Sequence, residues 1–129
     1  MRTKLLVIAA FAGALLTGSG TSAQPLTPHF PAWERYFQVS WEPFERRGQP
    51  WLSGHVLSKW GETATGMKLL VESLDASGRI VAQRVEWLNS VVPVFSRAYF
   101  EVPAPPPAAS YRVSVFSFDF PQAARAEAP

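Results

Sequence analysis

The side chains that could do chemistry are few. There are two histidines, His29 and His55, and no cysteine. A zinc site would therefore need both imidazoles together with carboxylates. His29 falls among prolines and His55 in a strand-like run, so nothing in the spacing makes them converge, and no metal site is expected. His55, Asp75 and a serine could compose a nucleophilic triad on paper. The Gly-x-Ser-x-Gly elbow that presents such a serine is absent. Glu72 and Glu86 could face one another across neighbouring strands as a pair for glycoside hydrolysis. A chain of this size leaves little room for the cleft between them. No glycine loop for phosphates and no dinucleotide fingerprint is present. The sequence thus predicts no catalytic residue and no cofactor, and a protein that is not an enzyme.

Binding chemistry is better represented. Five tryptophans occur, Trp33, Trp41, Trp51, Trp60 and Trp87. Exposed indoles stack on sugar rings or on the apolar side chains of a partner. Trp60, Trp51 and Trp87 are the candidate partner contacts. Trp60 stands out because it lies in a turn beside Gly61. The competing role for Trp41, Trp51 and Trp87 is to fill the core of a domain without disulfides. The run Pro103-Ala104-Pro105-Pro106-Pro107 favours polyproline II geometry. It could dock in an aromatic groove, or serve as a stiff crossover between strands.

The elements that must position these residues are strands. Residues 24–32 read as a proline-rich leader with no fold of its own. From Trp33 the pattern becomes short alternating apolar runs separated by turn residues, which predicts an all-β sandwich. Six strands are expected, over residues 35–42, 51–59, 66–74, 79–88, 94–102 and 110–120. In the first, Phe37, Val39 and Trp41 share one face. Residues 43–50 read as a loop, with Arg46 and Arg47 as a solvated pair. The third strand is apolar on both faces, through Met67, Leu69 and Val71 and through Leu70 and Leu74. It should therefore be central. Asp75-Ala76-Ser77-Gly78 is the strongest turn: Asp75 accepts from backbone amides ahead of it, and Gly78 tolerates positive φ. In the last strand Tyr111, Val113 and Val115 are expected on one side and Phe116, Phe118 and Phe120 on the other.

The ends of the chain bear on where it works. Arg2 and Lys4 precede an apolar run from Leu5 to Leu16, and Thr21-Ser22-Ala23 offers small residues for signal peptidase. Residues 1–23 read as a cleaved signal peptide. The apolar run is shorter than the roughly 20 residues of a membrane span, and no cysteine is available for lipidation. No stable membrane anchor is expected after cleavage, and the protein should be periplasmic or secreted. Loss of Arg2 and Lys4 leaves ten basic against ten acidic residues. No footprint for nucleic acid remains. Residues 122–129 read as a disordered tail.

Gly54-His55-Val56, the strand ending Val71-Glu72-Ser73-Leu74-Asp75, then Ser77-Gly78-Arg79-Ile80-Val81 and Tyr111-Arg112-Val113-Ser114-Val115 occur in an order that resembles the FxLyD-type domains. These are small bacterial immunoglobulin-like modules of exported proteins. Asp75 of the naming motif is retained, while Val71, Ser73 and Leu74 stand where Phe, Leu and Tyr would be. The resemblance implies a seven-stranded immunoglobulin-like fold without an active site.

The expectation is an antiparallel, immunoglobulin-like β-sandwich of six to seven strands over residues 33–121, with a closed barrel as the alternative. Its expected role is a binding or scaffolding module of the cell envelope with a possible envelope protein partner. The alternative roles are carbohydrate binding through exposed tryptophans and a small envelope enzyme built on His55.

Overall fold

The computed structural model describes residues 24–121. The signal-peptide and tail readings, residues 1–23 and 122–129, lie outside the described residues. A single 3-10 turn, Trp33–Arg35, leads into β1 (Phe37–Arg46), β2 (Gln49–Ser58), β3 (Thr65–Leu74), β4 (Ile80–Trp87), β5 (Arg97–Pro103) and β6 (Ser110–Asp119). They form two open three-stranded sheets, ordered β1-β2-β5 and β4-β3-β6, with every pair antiparallel. The fold is a sandwich and not a closed barrel. Among the described residues no helix is long and apolar enough to cross a membrane.

The order is that of an immunoglobulin-type sandwich. The β1-β2-β5 sheet corresponds to strands A-B-E, and β6-β3-β4 to F-C-C′. The corner before β6 carries a further mark of that fold. Tyr111, near the start of β6, donates its hydroxyl to the Pro105 carbonyl at 2.8 Å, as the tyrosine of such a corner does. The proline run is the crossover from β5 to β6. Ser73 Oγ donates to the Pro106 carbonyl at 2.7 Å and ties the crossover to β3.

The core forms where the alternating faces meet. Leu52 and Val56 of β2, Ala98, Phe100 and Val102 of β5, Met67, Leu69 and Val71 of β3, and Val113 and Val115 of β6 are buried together. Gly54 continues the inward row of β2. A Cβ there would overlap the Ser40 carbonyl oxygen, so glycine permits the close approach of β1. As expected, β3 is central in its sheet.

Three expectations are corrected. First, residues 43–50 are a tight hairpin and not a loop. β1 and β2 pair in register from Phe37↔Ser58 to Arg46↔Gln49. Arg47 and Gly48 both take positive φ, 53° and 73°, the two-residue turn whose twist suits a hairpin. Pro43 is tolerated because β1 is an edge strand. Arg46 is not a free turn residue: it pairs with Glu101 and lies 4.1 Å over the Trp51 ring. The fifth strand also begins later, at Arg97, because residues 88–96 form the connection in which Val92 bridges Ala64.

Second, β6 changes phase. Lys68 pairs with Ser117 but Leu69 pairs with Val115, which leaves Phe116 as an extra residue. Val113 and Val115 point inward before it; Phe118 and Phe120 pack against the core after it. Phe118 lies 5.0 Å from Phe37, ring to ring. Phe116 is left on the outer side against His29, at 4.4 Å.

Third, the leader has a docked position. It crosses the outer face of the β4-β3-β6 sheet. Gln83 reads the backbone of Leu26 with both ends of its amide: Leu26 N–H donates to Oε1 and Nε2 donates to the Leu26 carbonyl, each at 2.9 Å. Beneath it Glu72 is 2% exposed. Its two oxygens accept from Gln83 Nε2 and from Arg112 Nε, both at 2.8 Å. The His29 N–H then donates to the Phe116 carbonyl at 2.9 Å.

Two predictions follow from these contacts. Glu72→Ala strips Arg112 and Gln83 of a buried charged acceptor, and should lower unfolding free energy by about 2–3 kcal/mol. Urea unfolding checks this, and Glu72→Gln should recover part of the loss. The Asp75 turn gives a pH effect. Asp75 accepts from the Arg79 N–H and from the Ser77 hydroxyl and N–H. These, the Arg79 amide foremost, hold its carboxyl down at about 2. The folded chain favours the carboxylate, so its contribution is full above the ordinary pKa near 4 and fades as pH falls towards 2. Asp75→Asn should flatten that part of a melting-temperature profile taken between pH 5 and 2.

Candidate functional site

The hydrolytic arrangements do not assemble. Glu72 lies on the outer face of its sheet. Glu86 pairs opposite the core residue Leu69 and so faces the other way. His55 is opposite Ser40 across the β1–β2 hairpin and packs edge-on to Tyr99 at 5.3 Å. Glu101, two residues along from Tyr99, accepts from the Tyr99 hydroxyl at 2.7 Å and pairs with Arg46. Those two donors, Tyr99 first, hold its carboxyl below the usual range. Asp75 is spent on its turn. No cluster of three metal-ligating side chains occurs among the described residues.

The three candidate tryptophans lie on three separate surfaces. Trp51 is half-buried near the Arg47–Gly48 turn, against Phe44, with the Arg46 guanidinium over its ring. Trp87 is 57% exposed at the end of β4, with Lys68 Nζ 4.6 Å from its ring centre. Both indoles thus already carry a cation on one face. Trp60 is 41% exposed in the connection from β2 to β3. Tyr36 meets it edge-on at 4.8 Å, and its Nε1 donates to Glu62 at 3.3 Å.

The end of the sandwich around Trp60 is where apolar surface collects. The β4–β5 connection brings Val91, Val94 and Phe95 to this end, and all three are exposed. Phe95 is 70% exposed. Its backbone sits at φ 48°, a left-handed conformation that bulky side chains rarely adopt. The Phe95 N–H donates to the Trp60 carbonyl at 3.2 Å, and this bond ties the two loops together. Glycine at 61 leaves space that the Phe95 ring borders at 3.6 Å. Next to this patch, Phe30, Tyr36, Phe118 and Phe120 line a cleft of about 470 Å³ that also holds His29 and Asp119.

Sequence reasoning singled out Trp60 by its place in a turn. It passed over Phe95, whose only signal is its place two residues after Pro93, in a stretch read as the start of a strand. Core packing does not require this strained conformation, since the Phe95 ring is exposed. Phe95→Asn keeps the left-handed backbone with a residue that tolerates it. It should raise unfolding free energy by about 1 kcal/mol, read as a higher urea midpoint at unchanged slope. No family model, no curated protein and no solved structure matches this chain.

Proposed function

We propose that the protein is an exported, non-enzymatic binding or scaffolding module of the bacterial cell envelope, acting by contact through one end of its sandwich. The observation that carries this reading is the strained, exposed Phe95 bonded to Trp60, with Val91 and Val94 exposed in the same connection. An apolar cluster of this kind on a folded domain is a contact surface. The energetic logic is that of an interface anchor: rigid aromatic rings, fixed in advance, lose little freedom on binding. Kinship with FxLyD-type modules belongs to the same proposal. The Asp75–Gly78 hairpin and the immunoglobulin order of the strands support it. The signal-like residues 1–23 support a periplasmic or secreted protein, with an envelope protein as partner.

The test is affinity capture of the tagged mature chain, residues 24–129, from the envelope of its own host, followed by mass spectrometry and a binding assay with the recovered protein. One envelope protein should be retained reproducibly. Phe95→Asn should weaken its binding about 30-fold, the equivalent of about 2 kcal/mol at an anchor residue, while the folded domain becomes more stable. Trp87→Ser, on another surface, should leave binding unchanged. Retention indifferent to Phe95 and Trp60, or recovery of the chain alone, would refute the proposal.

A further inference from the structure

Four strands end at open sheet edges, β1, β5, β4 and β6. Three of them carry a device against pairing with another chain. β1 has Pro43 in its middle. β5 ends at Pro103, which has no N–H to offer a further strand. β4 turns Arg84 and Glu86 towards the inner face, opposite Val71 and Leu69, where they pair at 2.8 Å. The first half of β6, Ser110-Tyr111-Arg112-Val113-Ser114, has no proline and no inward charge, because Arg112 is committed to Glu72 on the outer face.

That undefended edge borders a groove. Between β1 and β6 runs a seam with two hollows, of about 510 Å³ and 590 Å³, which share Trp41. The first is lined by Phe37, Val39 and Val113 and by the charged Glu34, Lys59 and Arg112; the second is lined by Pro43, Phe44, Ser110 and Tyr111. Val39, Trp41 and Tyr111 pack on the core yet remain partly open to the seam. In an immunoglobulin sandwich the position beside strand F, on the side away from C, belongs to strand G. Here β6 takes the place of F, and no described residue fills the next position. The leader meets β6 at Phe116 and Phe118, beyond residues 110–114. Residues 122–129, Gln-Ala-Ala-Arg-Ala-Glu-Ala-Pro, contain no β-branched or aromatic residue with which to fill the seam.

We propose that the β1/β6 seam receives an extended strand from a partner protein, which pairs with residues 110–114 of β6 and completes the sandwich. The edge supplies main-chain hydrogen bonds, and the seam supplies apolar recesses for alternate side chains. The occupant is therefore a segment of about five residues with apolar side chains at every second position and no proline among them. This surface is distinct from the Trp60–Phe95 end, and its test does not depend on that reading.

The test uses the full chain extended after Pro129 by a short Gly/Ser linker and an alternating valine–threonine strand, made in two versions whose valines are offset by one residue. Tethering makes the pairing intramolecular, at an effective concentration in the millimolar range. One version should raise the melting temperature by about 5 °C and slow hydrogen exchange at the amides of residues 110–114. The other should not, because a one-residue shift turns every side chain to the wrong face. Equal effects of both versions, no effect of either, or protection at β4 or β5 would overturn the proposal. In the unextended chain those amides should exchange fast. Protection there would assign the seam to the chain's own tail, or to a second copy if it grew with protein concentration, and would equally overturn the partner strand.

Discussion

The ladder between β3 and β6 gains one residue at Phe116, and most of the molecule is arranged around that gain. Side chains alternate with a period of two, so one extra residue exchanges inside for outside along the rest of the strand. Before it, Val113 and Val115 supply small aliphatic bulk to the centre of the core. After it, Phe118 and Phe120 turn inward and meet Phe37 and Tyr36. A domain without disulfides must hold together by burial, and the bulge delivers two more rings to that task. It also leaves Phe116 outside as a seat for His29, where the leader meets the edge of β6 before the chain enters the other sheet.

The leader shows how a polar network can organise an outer sheet face. Leu70 and Glu72 of β3 point away from the core, yet both are buried. A buried carboxylate is tolerated when its oxygens are bonded and its charge is matched, and Gln83 and Arg112 do both. Gln83 then passes the order on to Leu26. A side-chain amide that meets both backbone groups of one residue fixes an extended chain without regard to its side chain. A segment of three prolines can therefore be held with few apolar contacts of its own.

Much of this was legible in the sequence, for physical reasons that can be named. Alternation placed Phe37, Val39 and Trp41 on one face of β1, the face that meets the core, because period two is set by the pleat. The two-sided apolar pattern of β3 marked it as central. Asp75 and Gly78 sit as their turn chemistry requires, with Gly78 at φ 87°. The errors arose where a register event or a tertiary contact decides. The phase change at Phe116 depends on which residue of β3 it faces, and a single strand does not carry that. The Arg47–Gly48 turn was hidden between Pro43 and Pro50, since prolines read as loop unless the strand is known to be an edge. Trp51 and Trp87 were weighed between core and partner, and their cations, Arg46 and Lys68, come from alignments across strands. Phe95 had no signal beyond its place after Pro93, because left-handed backbone in an aromatic residue is imposed by its neighbours.

Agreement between local preference and global fold is what makes a sequence specify one structure, and the exceptions gather where selection acts on something else. This sandwich meets that expectation at two places. The conformation of Phe95 opposes its side chain, and glycine or asparagine would relieve it, so stability alone does not account for a phenylalanine there. β6 is the second exception, since an edge strand is ordinarily protected. Neighbouring edges of the same molecule show that the protective devices were available: a proline in β1, an inward ion pair on β4, a proline at the end of β5. Their absence along residues 110–114 coincides with a seam where Trp41 and Tyr111 are partly open. The two exceptions differ in kind, one a protruding ring and the other a receptive edge. They therefore suit different contacts on separate surfaces, an anchor presented outward and a strand taken in.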